Sequence, residues 1–370
     1  MKYFDKYKSN TCAGSGNQLP FSTGGEIITG RIFYKLFSGG KYEYSFLFSN
    51  IIDSTFADGT LSHKNLICSS WEILSIRAGV VKSEFSDSVE EKISDEKMLS
   101  LSAMQELAFL GNKTKTVAPG EFFATDGAVF EADKGDYMCI EISFKGDMIP
   151  YHEESILPAY RKCGDVWELN KKMPYLSMLG CDRPAELKIG YLGDSITQGI
   201  GRGIPFNSYG FWNSLVSEML GEKYAYWNLG IGYGRANDAA TDGAWLYRAK
   251  HNDVVVVCYG VNDIFRIQNA EQTKKDLAEI VDKLHDAGVK VIVQTVPPFD
   301  YEGEDLPRWR EINRFIKEEL SKKAEAVFDV VPILGESEEN PHIARYDLHP
   351  DLTGCSKWAE ALYPFLKENL

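Results

Sequence analysis

The eight residues DVVVVCYG at 253–260 constrain the fold of this chain more than any other stretch. Four consecutive valines between an aspartate and a cysteine have neither a helical period nor a polar face. Such a run suits a strand covered on both sides, as in a parallel sheet flanked by helices. The surrounding sequence repeats the theme. LKIGYL leads to NSYGFWNSLVSEML, AYWNLGI to ANDAATDGAWLYRA, and DVVVVCYG to EQTKKDLAEIVDKLHDAG; KVIVQTVPP then leads to RWREINRFIKEELSKKA, and AVFDVVPIL to SKWAEALYPFLKEN. Strand and helix alternate five times, which predicts an α/β unit of flavodoxin-like type with a five-stranded parallel sheet in three layers.

The first half has another rhythm. GEIITGRIFYKLF, YEYSFLFSN, WEILSIRAGVV, KTKTVAPGEFFATD and DYMCIEISF are rich in β-branched and aromatic residues and are separated by Gly, Asn, Asp and Ser. They predict a β-sandwich of jelly-roll character. The charged insert SVEEKISDEKMLS at 88–100 reads as an exposed loop or short helix, and four prolines mark residues 150–185 as a mixed connector. At 370 residues two domains are expected: 1–165, a sandwich with its connector, and 180–370, the α/β unit.

Composition excludes several classes. A formal net charge of −14, with no concentration of Lys or Arg, argues against nucleic acid and against anionic membrane surfaces. No run of about 18 apolar residues predicts a membrane span. Seven scattered cysteines without a C-x-x-C pair fit reduced thiols. Together with an N-terminus, MKYFDKYKSN, that lacks the apolar stretch of a signal peptide, they lead us to expect a cytoplasmic protein.

In parallel sheets of this type, ligands bind beyond the carboxyl ends of the strands. Four such ends carry chemistry: Gly193-Asp194-Ser195, the turn Asn228–Gly234, Gly260-Val261-Asn262-Asp263, and Asp347-Leu348-His349. They supply a hydroxyl, a flexible amide-rich turn, a side-chain amide and an imidazole, the parts needed for acyl transfer. Ser195 needs a base, which His349 supplies near neutral pH. Backbone N–H groups at Ser195 and at Gly232 or Gly234, with the Asn262 amide, are expected to meet the oxyanion. Asp263 reads as a helix cap. GIGYG does not complete a dinucleotide fingerprint. The remaining histidines, His63, His152, His251, His285 and His342, lack companions at metal-ligand spacing, so no metal or cofactor is expected. Trp212, Trp245 and Trp358 read as core, and Asp300 and Tyr301 are secondary candidates for lining a pocket.

With these blocks in order, residues 186–370 resemble the SGNH hydrolases, a subgroup of the GDSL esterase/lipase superfamily. Gly193–Ile196 corresponds to the first block, Gly260–Asp263 to the third, and His349-Pro350 to the last. The resemblance implies Ser195 as nucleophile, Asn262 as oxyanion donor and His349 as base. Two positions depart from the pattern. The usual acid three residues before the histidine is Tyr346 here, which leaves Asp347, a backbone carbonyl, or less directly Asp329 or Asp351 to orient the imidazole. The usual glycine five residues after Asn228 is Tyr233, flanked by Gly232 and Gly234. A β-sandwich ahead of such a unit is similar to two-domain carbohydrate acetyl esterases. That likeness implies an O-acetylated sugar or oligosaccharide as substrate, and it leaves an oligomer open. The alternatives are a lipase- or thioesterase-type acyl hydrolase, or a non-catalytic glycan-binding protein.

Overall fold

The computed structural model describes residues 3–56, 62–82, 103–200, 209–335 and 349–370. The insert at 88–100 lies outside them. Two large antiparallel sheets form the body of the β-rich half, with two small two-stranded sheets beside them. One large sheet runs in the order Lys8–Ser9, Met178–Cys181, Gly40–Ser49, Phe122–Ala124, with Ala128–Ala132 also on Gly40–Ser49. The other runs Val166–Leu169, Ala159–Cys163, Ile28–Lys35, Tyr137–Gly146, Trp71–Val81, Gln105–Glu106, with Lys115–Val117 also on Trp71–Val81.

The pleat explains the packing. Along Tyr137–Gly146, Met138, Ile140, Ile142 and Phe144 enter the core between the sheets, beside Ile32, Tyr34, Phe46 and Ile73. The alternate residues Tyr137 and Cys139 join Phe33, Val81 and Tyr160 in a small outer cluster. Glu141 shares that outer side and pairs with Arg31 at 2.8 Å and with Arg77. The stretch expected to be a connector belongs to these sheets: three of its segments, Ala159–Cys163, Val166–Leu169 and Met178–Cys181, are paired strands. Pro158, Pro174 and Pro184 lie outside the strands, and Pro150 sits in the short pairing of Ile149–Tyr151 with Leu19–Phe21, opposite Pro20, which also lacks a donor.

From Lys188 the chain builds the α/β half. We number its elements β1 (Lys188–Gly193), α1 (Ser195–Gln198), α2 (Trp212–Leu220), β2 (Ala225–Gly230), α3 (Ala236–Ala240), α4 (Ala244–Ala249), β3 (Val254–Cys258), α5 (Ala270–His285), β4 (Lys290–Gln294), α6 (Asp305–Glu318), β5 (Ala326–Phe328), α7 (Val331–Leu334) and α8 (Leu352–Asn369). The five strands are parallel, in the order β2-β1-β3-β4-β5. This is the flavodoxin-like sheet that the valine run predicts. Trp212 of α2 stacks on Trp358 of α8 with ring centroids 4.9 Å apart. Trp212, Trp245 and Trp358 are all buried.

The two halves share one seam. Phe4, Cys12, Phe37, Leu47, Ile156 and Met178 from the β-rich half pack into the α/β core. Arg248 of α4 pairs with Asp53 at 2.6 Å, both side chains fully buried. The same guanidinium donates to Ser15 O at 3.2 Å and to Ser177 Oγ at 3.3 Å.

Register then fixes the site. Gly193 at the end of β1 lies opposite Gly230 of β2 and Cys258 of β3. Three strand ends therefore stop at one level, beside the point where the strand order reverses. That crevice is where the topology leaves room for a ligand.

Candidate active site

The Gly-Asp-Ser stretch is shaped by crowding. A Cβ on Gly193 would lie 2.2 Å from Thr197 Oγ1 and 2.5 Å from Cys258 O, so the strand ends in the smallest residue. Asp194 caps α1, its Oδ1 accepting from the Ile196 N–H at 2.9 Å. It is 2% exposed, and burial pushes its carboxyl up to about 7. Ser195 is the first residue of α1, where backbone N–H groups have no acceptor within the helix. Its Oγ lies 2.9 Å from His349 Nε2. The sequence places these two residues 154 positions apart; the fold joins them.

The end of β2 is tied to the same helix. Asn228 Oδ1 accepts from the Gly230 N–H at 2.9 Å, and its Nδ2 donates to Thr197 O at 3.0 Å. A Cβ on Gly230 would lie 2.2 Å from the Gln198 nitrogen. The following turn is closed by the Gly234 N–H donating to Ile231 O at 3.0 Å. That bond directs the Gly234 amide into the turn and away from the cavity. Gly232 is small for a reason that sequence did not reveal. A Cβ there would lie 1.6 Å from Glu154 Oε2. Between the two glycines, Tyr233 has φ +59° and itself lines the cavity. It thus adopts the left-handed conformation that favours glycine, at the position where the SGNH pattern carries one.

Two residues beyond the end of β3, Gly260 has φ +134°, and a Cβ there would lie 2.4 Å from Val296 Cγ2; both suit glycine. Asn262 follows, lines the cavity, and donates from Nδ2 to Gly234 O at 3.2 Å. Asp263 does cap a helix, but not the one it starts. Its carboxylate accepts from the Ala236 N–H at the head of α3, at 3.1 Å and 3.2 Å. It is fully buried, and burial pushes its carboxyl up to about 7. The π-helical turn Asp263–Ile267 that begins here carries Phe265 and Arg266 to the cavity wall.

The cavity measures about 490 Å³. Ser195, Asn262 and His349 meet in it; Ile200, Val261 and Phe299 give it an apolar side. Phe299 packs edge-on against the His349 ring, centroids 5.9 Å apart. Neither Asp300 nor Tyr301 lines it; Tyr301 is buried beneath, stacked on Phe265 and Trp309. Asp347 and Tyr346 lie outside the described residues. Asp329 and Asp351 are occupied elsewhere: the first accepts from Thr295 Oγ1 at 2.9 Å, the second caps α8 through the Gly354 N–H at 2.8 Å. Among the described residues no group of three His, Cys, Asp or Glu is placed to hold a metal ion.

Residues 191–356 match the model of the GDSL-like Lipase/Acylhydrolase family. The α/β half is a GDSL-like acylhydrolase domain. The family is one of lipases and acylhydrolases, so the match supports ester hydrolysis by this domain. Among solved structures, the acylhydrolase domain is similar to a member of the lipolytic protein G-D-S-L family from Veillonella parvula (18% identity, 49% of this chain and 98% of that one, TM-score 0.39). It is also similar to the psychrotrophic esterase EstA from Pseudoalteromonas sp. (15%, 49% and 97%, TM-score 0.40). A third likeness is to an acetyl xylan esterase, AlAXEase (22%, 48% and 99%, TM-score 0.38). No curated protein matches the chain.

Five cavity residues were not legible in the sequence motifs, Ile200 after the Gly-Asp-Ser helix among them. Phe265 and Arg266 follow Asn262 closely and were signalled by proximity to a strand end; Phe299 follows Pro297-Pro298 in the same way. Glu154 had no such signal, because it comes from the β-rich half.

Proposed function

We propose that this protein is a serine esterase that removes short acyl groups, acetyl foremost, from hydroxyls of carbohydrates. The observation that carries this reading is the 2.9 Å contact between Ser195 Oγ and His349 Nε2 inside a cavity that also presents Asn262. His349 Nε2 takes the Ser195 proton as Oγ bonds to the acyl carbon, and the carbonyl π electrons move to oxygen. The Ser195 N–H, the Tyr233 N–H and the second Nδ2 hydrogen of Asn262 stabilise that oxyanion. The choice of Tyr233 over Gly232 or Gly234 rests on its place in the cavity wall and on its positive φ. As the tetrahedral intermediate collapses, the alcohol leaves with the proton from His349. Water, deprotonated by the same imidazole, then releases the acid and restores the serine.

A cavity of about 490 Å³ holds an acyl group together with part of its alcohol. The apolar residues Ile200, Val261 and Phe299 in its wall suit a small acyl chain. Ser195→Ala should lower turnover of p-nitrophenyl acetate by about 10³-fold or more with the melting temperature kept. Retained turnover would defeat the assignment.

A further inference from the structure

Glu154 lies outside the segment that matches the acylhydrolase family, yet its side chain forms part of the cavity wall beside Ser195 and Asn262. It is held there on three sides. Its Oε2 accepts from Gln18 Nε2 at 3.0 Å, and its N–H donates to Gln18 Oε1 at 3.1 Å. Its carbonyl accepts from Gln198 Nε2 at 2.8 Å. Gln198 is fully buried in α1, three residues beyond Ser195, and Gln18 Nε2 also reaches Gly232 O at 3.3 Å. The turn leaves space for the carboxyl only because residue 232 has no side chain.

We propose that Glu154 is a specificity-determining residue of this site: a carboxyl that the β-rich half delivers to the wall of the acylhydrolase cavity, where it accepts hydrogen bonds from free hydroxyls of the alcohol part of the substrate. This inference rests on the esterase reading above. A carboxyl held through Oε2 by Gln18, on a backbone held by Gln198, keeps acceptor capacity at Oε1, and neutral hydroxyls are donors that answer it. An alcohol without neighbouring hydroxyls would desolvate the carboxyl without adding a donor to the one Gln18 supplies, which disfavours simple alkyl and aryl esters. The favoured class is the neutral polyol or sugar ester with a free hydroxyl near the acylated one.

The test compares glycerol monoacetate and a methyl 6-O-acetyl glucoside with p-nitrophenyl acetate, in the wild type, Glu154→Gln and Glu154→Asp. We expect the ratio of kcat/KM for the hydroxylated esters to that for p-nitrophenyl acetate to fall about tenfold or more in Glu154→Gln, through KM rather than kcat. Inhibition of p-nitrophenyl acetate turnover by free methyl glucoside should weaken in parallel, and Glu154→Asp should recover part of both effects. Should Glu154→Gln fail to fold, Glu154→Asp carries the comparison, with a smaller drop in the same ratio. An enzyme active on all three esters whose ratio and inhibition are unmoved overturns this inference and leaves the esterase reading intact. An equal loss on every ester also overturns it, since that marks a purely structural role. A wild type without turnover of any ester overturns both.

Discussion

His152 stands two residues from Glu154 and is 1% exposed. Burial holds its imidazole down to about 3, against an ordinary value near 6.5. The folded state therefore refuses a proton that the unfolded chain accepts. Its stabilising contribution is complete above pH 6.5 and is lost as pH falls from there toward 3, by at most ~1.4 kcal/mol per pH unit. Chemical denaturation of wild type and His152→Phe between pH 4 and 7 should show a flatter pH dependence in the variant; equal slopes would refute the assignment. The buried Asp194 and Asp263 carboxyls act in the opposite sense. Raised to about 7, they contribute most below pH 4 and lose that contribution as pH climbs toward 7, so only differences between variants separate the groups. For Asn262, replacement by Ala should lower kcat on p-nitrophenyl acetate by about 10²–10³-fold with little change in KM, as loss of one oxyanion donor does.

At the level of elements, three glycines that look alike in sequence do different things. Gly193 and Gly230 bring β1, β2 and α1 together at backbone distances, with Cys258 O and the Gln198 nitrogen in the path of any added carbon. Gly232 faces only the flexible tips of Glu154 and Gln18. Gly193→Ala and Gly230→Ala should each cost more than about 2 kcal/mol and dislodge the turn that carries Ser195. Gly232→Ala should cost about 1 kcal/mol and instead displace the Glu154 carboxyl. Thermal melts paired with p-nitrophenyl acetate assays separate the two classes, and similar losses at all three positions would contradict them. The contrast also shows what sequence can carry. Period, valine content and residues at strand ends are local, and they made the parallel sheet, Ser195, Asn262 and His349 visible. The reason for Gly232 is a side chain 78 positions upstream, and the partner of Asp263 is the head of α3, so neither was legible. Tyr233 reads as a departure from the family pattern in sequence, yet its backbone takes the glycine conformation.

The whole molecule is held by a seam more than by a linker. Arg248 pairs with Asp53 in a fully buried contact while donating to Ser15 and Ser177. Asp53→Ala would leave that guanidinium uncompensated and should lower stability by about 3–5 kcal/mol, read as a shift in denaturation midpoint. Because six residues of the β-rich half pack into the α/β core, intrinsic fluorescence and far-UV circular dichroism should report a single coincident transition. Separate transitions would mean that the halves unfold independently. The pairing of Lys8–Ser9 with Met178–Cys181 bears on biosynthesis. Lys8 and Ser9 must wait for a strand made about 170 residues later. Until it emerges, the apolar edge of Gly40–Ser49 has no neighbour on that side. A nascent chain stalled before Met178 would therefore be sticky, and premature termination there should yield insoluble fragments in place of a free-standing sandwich.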